Sequence, residues 1–407
     1  MASSADALPP SFSQRLLAPY RRITSSGNFI PEIDGLRFIA ILSVYIYHLA
    51  GDVLRHSSPT AAGTLNGDWT FSVTQILNVG VPLFFVISGF ILGLPFAAAH
   101  LQGKRPVSLK KYFLRRVTRL EPPYVLALLL LFALKVVGAR GTAHELIPNL
   151  LASVFYVHNL VYNAPSVINV VAWSLEIEVQ FYILAPLLAL VFVVQDSLLR
   201  RAVLVSAILL ATGVSAFVSS NVMLRLSLLS AAQYFLAGFL LVDLYFAGLL
   251  RPPGAWRWDL VSLVGWPVLL GLLAWSRSEH LWTTPWLIVL LYVAAFRGHL
   301  TQQFVSNAWI ATIGGMCYSI YLLHNYLIAG AGMITERVFA SASFEWRLAL
   351  QFVLVTPFVL TVSALYFRWV ERPCMRPDWL RRVMPAFITG TPSPYSVAAG
   401  SELSSKE

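Results

Sequence analysis

The sequence predicts an all-α polytopic membrane protein, and three observations carry that prediction. The 407 residues are 57% hydrophobic and only 12% charged, with a mean hydropathy of +0.69, too apolar for a water-soluble globule. The apolar residues gather into runs of bilayer length. The basic residues fall between those runs, and with the N-terminus inside they concentrate on one side.

Residues 1–31 contain no continuous apolar core followed by a small-residue cleavage site, so the first helix is expected to stay as a signal anchor and the preceding segment to be cytoplasmic. Apolar runs follow near 36–54, 79–97, 122–138, 147–162, 173–195, 202–219, 228–247, 260–276, 284–296, 308–329 and 347–369. The fourth is short and carries Pro148, Asn149, His158 and Asn159, so it is read as interfacial or re-entrant rather than spanning. About ten transmembrane helices remain, with both termini cytoplasmic. On that count 22 of the 29 Lys and Arg residues lie inside, whereas a spanning fourth run would move Arg200, Arg201 and the C-terminal cluster outside. A membrane domain is therefore expected over 32–376. The small, polar, proline-bearing stretch 377–407 is expected to be a disordered cytoplasmic tail with no soluble domain attached.

The formal charge of +10 follows from orientation and not from nucleic-acid binding, since no basic and aromatic binding module is present. Cys317 and Cys374 offer neither a disulfide framework nor metal-ligand spacing, and no metal is expected. A Ser-centred nucleophile elbow and a Walker-type phosphate loop are both missing, which disfavours hydrolase and ATPase readings.

The first run holds the sharpest clue. Eleven residues at about 100° each bring His48 back to within roughly 20° of the direction of Arg37, and a rise of about 1.5 Å per residue sets them roughly 16 Å apart. Arg37 belongs at the cytoplasmic edge, where it could simply snorkel to headgroups. His48 belongs deep in the membrane, where ionisable groups face the protein interior or an aqueous cavity and imidazole can exchange a proton near neutral pH.

Six stretches in order then resemble the membrane acyltransferase type 3 family, integral-membrane O-acyltransferases that modify cell-surface sugars and related acceptors. They are "DGLRFIAILSVYIYH" with Arg37 and His48, "GVPLFFVISGFILG", "YFLRRVTRLEPPY" with Arg115, Arg116 and Arg119, "WSLEIEVQFYILAPLL" with Glu178, and the late pair "YSIYLLHNYLI" and "YFRWVERP". Pro82, where an acidic residue is common, and the extra Glu121 depart from the pattern. The resemblance implies a cytoplasmic acyl-CoA donor, most simply acetyl-CoA. It also implies an extracytoplasmic carbohydrate or glycolipid acceptor, a bacterial inner-membrane setting and partner proteins of envelope biosynthesis.

Within that frame His48 is the candidate general base on the acceptor hydroxyl, a covalent acyl-histidine being the less favoured alternative. Arg37 is a candidate for holding the donor, orienting a carboxylate or stabilising the oxyanion. Arg115, Arg116 and Arg119 are candidates for the CoA phosphates, against the simpler role of setting topology. Glu178 is a candidate for orienting His48 or binding acceptor hydroxyls, against a structural pairing with a basic side chain. Glu176, about 200° away on a regular helix, should face elsewhere. Tyr318, Tyr321 and His324 are candidates for the substrate cavity, and Glu371 for anchoring the last helix by pairing with Arg372 or the basic loop. A transporter using His48, Glu178 and His324 as a relay is the rival reading, though no inverted repeat favours it.

Overall fold

A computed structural model describes residues 12–23, 29–56, 69–221, 224–250, 254–275, 280–338, 342–376 and Trp379. The expected tail, 377–407, thus lies outside the described residues except for Trp379. Among the described residues every regular element is helical, and the chain is a polytopic helical membrane protein.

A short helix α1 (Phe12–Leu17) precedes α2 (Pro31–Arg55), which opens with proline at its start and Glu32 and Asp34 in its first turn, a sequence that suits the positive end of a helix. Next come α3 (Trp69–Leu101), α4 (Leu109–Val137), α5 (Ala143–Val154) and α6 (His158–Tyr162). Then follow α7 (Trp173–Leu188), α8 (Ser197–Val218), α9 (Ala232–Phe246), α10 (Trp256–Trp275), α11 (His280–Arg297) and α12 (His299–Val305). The last are α13 (Ala308–Gly315), α14 (Cys317–Val338) and α15 (Phe344–Tyr366), the last of these running on through a π-helical turn, Phe367–Glu371.

Among the described residues seven helices are long and apolar enough to cross a membrane, or eight if α11 and α12, bent by 92°, form one span. Against the expected ten, the difference falls on two runs. Helix α9 has 15 residues, a rise of about 22 Å against a hydrocarbon core of about 30 Å, yet it is buried from Gln233 through Asp243 because other helices surround it. The run at 308–329 is interrupted at Met316, and α14 carries His324 and Asn325 in its middle, which lowers its apolarity.

The fourth run forms no single span. A capping box at Thr142 and Glu145 starts α5, the chain breaks at Tyr156, whose φ of 56° is left-handed, and α6 ends after one turn. Outside the spans, His158 bridges the Asn149 side chain and the Ala164 carbonyl, each at 3.0 Å. Burial holds its imidazole below the ordinary range.

The core forms where α3 crosses α9. A β-carbon on Gly89 would lie 2.1 Å from the Phe235 carbonyl oxygen, and one on Gly238 would lie 2.3 Å from that of Val86, so the two backbones touch through missing side chains. Phe235 stacks between Phe85 and Phe181, with ring centroids 4.7 and 4.1 Å away. Buried Asp243 ties α9 to α8 by accepting from Arg200 at 2.5 Å and Arg201 at 2.6 Å. Arg372, just beyond α15, donates to the carbonyls of Arg21 and Ala18. The chain therefore approaches α2 and leaves α15 at the same end of the bundle.

Candidate functional site

Helices α2, α3, α4, α7, α13 and α14, with the π turn after α15, line a cavity of about 110 Å³. Its lining is ordered along the helix axes. Arg37, Arg116, Arg119, Gly315, Cys317 and Glu371 lie toward the end where α2 and α14 begin, and Val44, Ser174 and Tyr321 lie further in. Phe84, Phe85, Ile87 and Ile91 supply apolar wall between them.

Local sequence explains how the charges are held. Asp34 and Arg37 are three apart on α2, and Arg37 donates to the buried Asp34 carboxylate at 2.5 Å. Arg22, from the segment before α2, reaches the same oxygen at 3.0 Å. The Arg116 guanidinium lies over the rings of Tyr112 and Tyr182, 5.5 and 5.7 Å from their centroids, where a cation meets the negative ring faces. On α7, Tyr182 is one turn past Glu178 and donates to it at 2.5 Å, while Ser88 of α3 donates to the same oxygen at 2.5 Å.

Four residues beyond Val44 on α2 stands His48, which is not among the cavity-lining residues, and three beyond Tyr321 on α14 stands fully buried His324. The His48 Nδ1 is 3.1 Å from the His324 Nε2. Hydrogen-bond chemistry assigns the protons. His324 Nδ1 lies 2.9 Å from the carbonyls of Ile320 and Tyr321, which can only accept, so that nitrogen carries the hydrogen and Nε2 is bare. His48 Nδ1 faces this bare nitrogen and, at 2.9 Å, the Val44 carbonyl, so it too must be the donor. The neutral His48 ring is left with an unprotonated Nε2.

The structure brings Arg37, Arg116, Arg119, Glu178, Tyr318 and Tyr321 to one cavity and joins His48 to His324 a turn away. Arg115 stays exposed on the outer side of α4, away from the cavity. Glu178 turns to Ser88 and Tyr182, so the group that orients His48 is His324. Glu176 points away, as its position on the helix requires, and accepts from the Asn159 backbone N–H at 2.8 Å. Glu371 does not pair with Arg372. It accepts from the Ser319 backbone N–H at 3.0 Å and hydroxyl at 2.5 Å, because the π turn rotates it inward.

Asp34, Ser88, Ser174, Tyr182, Cys317 and Glu371 were not expected in the cavity lining or its support. The one-turn spacings of Asp34 with Arg37 and of Glu178 with Tyr182 could have signalled two of them. Among the described residues no group of three or more His, Cys, Asp or Glu side chains is placed to hold a metal ion.

Comparison with known proteins fits this geometry. The chain is 23% identical over 383 residues to the O-acetyltransferase OatA of Staphylococcus aureus, covering 86% of this chain and 57% of that one. It is 29% identical over 178 residues to the peptidoglycan O-acetyltransferase OatA of Listeria monocytogenes, covering 41% of this chain and 25% of that one. It is also 29% identical over 203 residues to the putative peptidoglycan O-acetyltransferase YrhL of Bacillus subtilis, covering 47% and 28%. The chain thus spans between about a quarter and just over half the length of these relatives. No solved structure matches. The family model described as an acyltransferase domain matches residues 30–368, which include every cavity-lining residue except Glu371, and this chain belongs to that acyltransferase 3 family.

Proposed function

We propose that this protein is an O-acetyltransferase of the bacterial inner membrane that moves an acetyl group from cytoplasmic acetyl-CoA to a hydroxyl of a cell-wall carbohydrate, with peptidoglycan the favoured acceptor class. The observation that carries the reading is the cavity, arginine-lined at one end and reaching a turn short of the His48–His324 pair at the other. Membership of an acyltransferase family and relatives named for O-acetylation of peptidoglycan point the same way.

In this reading Arg116 and Arg119 hold the phosphates of the donor through multidentate, charge-assisted hydrogen bonds. The acyl arm follows the apolar wall inward. Neutral His48 takes the acceptor hydroxyl proton on Nε2, while its Nδ1–H stays on His324 and holds the ring. The alkoxide attacks the thioester carbonyl, the C–S bond breaks, and the CoA thiolate recovers the proton from the imidazolium. Arg37, fixed by Asp34, keeps a positive charge beside the path of the donor.

The test follows label from radiolabelled acetyl-CoA in membranes carrying the wild type or His48→Ala, scoring both CoA release and label on carbohydrate. Transfer should fall by at least about 100-fold in the variant, the scale of a lost general base, with the protein still folded. Absence of CoA release from folded wild type across short-chain acyl-CoAs would overturn this reading in favour of a transporter.

A further inference from the structure

Glu371 is the second carboxylate in the cavity lining, Glu178 being the other, and the chemistry proposed above gives it no role. Its side chain is 1% exposed and lines the cavity beside Arg37, Arg119 and Cys317. One oxygen accepts both Ser319 hydrogen bonds, and the other is buried without a partner. A buried acceptor left unpaired is costly, more so when charged. It also sits in a π-helical turn, a local distortion of a kind that recurs at functional sites. A carboxylate pinned by one oxygen, with the other unpaired on a side chain that lines a cavity, is arranged to receive a donor from a ligand.

Which donor follows from the chemistry of the substrate, and here the argument rests on the acyl-CoA reading above. The phosphates and the thioester carbonyl of acyl-CoA are acceptors, and arginines answer them. The arm that must pass between the arginine end and His48 is pantetheine, whose hydrogen-bond donors are two amide N–H groups and one hydroxyl. We infer that Glu371 is a donor-binding residue whose free carboxylate oxygen accepts an amide N–H of the pantetheine arm. Ser319 positions it by holding the other oxygen.

Steady-state transfer by the full chain with acetyl-CoA and with S-acetylpantetheine, which keeps the amides and lacks the nucleotide phosphates, tests this. Glu371→Gln can still accept from Ser319 but turns an NH₂ toward the substrate. Its KM should rise about 10-fold for both donors, the scale of a charged hydrogen bond, with kcat within about threefold. Ser319→Ala, which keeps the charge, should raise KM about two- to threefold for both, and decides the matter if the glutamine variant does not fold. Arg116→Ala should raise KM for acetyl-CoA alone. Unchanged KM in Glu371→Gln, or a lowered melting temperature with KM unchanged, overturns the role of Glu371 and leaves the acyl-CoA reading intact. Failure of the wild type to use either donor overturns both.

Discussion

At the scale of single residues, the pairing of two histidines decides what His48 can do. An imidazole works as a base only through its bare nitrogen, and the other nitrogen must be held as a donor for that one to be bare. His324 supplies the acceptor, and the carbonyls of Ile320 and Tyr321 lock its own tautomer. His324→Leu is therefore expected to lower kcat about 100-fold while KM for the acyl donor changes by less than about threefold. His324→Gln, whose amide oxygen can accept from His48, should recover part of that loss. Steady-state acetyl transfer checks both, and a leucine variant with kcat near wild type would remove His324 from the mechanism.

At the scale of elements, close backbone approach holds the cavity walls in place. Helix α3 contributes Ser88 and the apolar wall, and its position is set by the crossing with α9, where Gly89 and Gly238 interlock. The β-carbon of Gly238→Val would lie 2.3 Å from the Val86 carbonyl oxygen and 2.5 Å from the Phe90 nitrogen. Both are backbone atoms that cannot swing aside, so the helices must separate. A loss of about 3 kcal/mol is expected, read as a lower melting temperature in detergent. Gly271→Val, which meets nothing within 4 Å, is the matched control. Equal melting of the two variants would show that the crossing tolerates separation. The crossing of α2 and α13 is built alike, since a β-carbon on Gly314 would lie 1.7 Å from the Asp34 carbonyl oxygen. There the close approach also fixes the residue that holds Arg37.

At the scale of the whole molecule, the arginine end of the cavity and both ends of the described bundle coincide. Arg372 bonds the segment before α2, and Arg22 from that segment shares Asp34 with Arg37. The proposed function, with the excess of Lys and Arg counted on that side, requires that end to face the cytoplasm and its acyl-CoA. A fluorescent protein fused after the C-terminus should accordingly be bright, and a periplasm-dependent phosphatase fused there should be inactive. The reverse pattern would place the arginine end outside and sink the cytoplasmic-donor reading.

The sequence by itself determined the class of the protein and most of its long helices, and it marked 147–162 as too short and too polar for one apolar span. These depend on local apolarity, helical periodicity and charge counted along one chain, and none needs a neighbour. The structure alone decided the partners. His48 meets a histidine 276 residues away, Glu178 meets a serine 90 residues away, and Arg115 misses the cavity that Arg116 enters because adjacent residues on α4 face about 100° apart. Glu371 was expected at an edge and lies inside because a π turn adds a residue to one turn of its helix, a change of register that hydropathy does not encode. Side-chain direction within a span is set by which helix packs against it and at what depth, and only the tertiary structure holds that information.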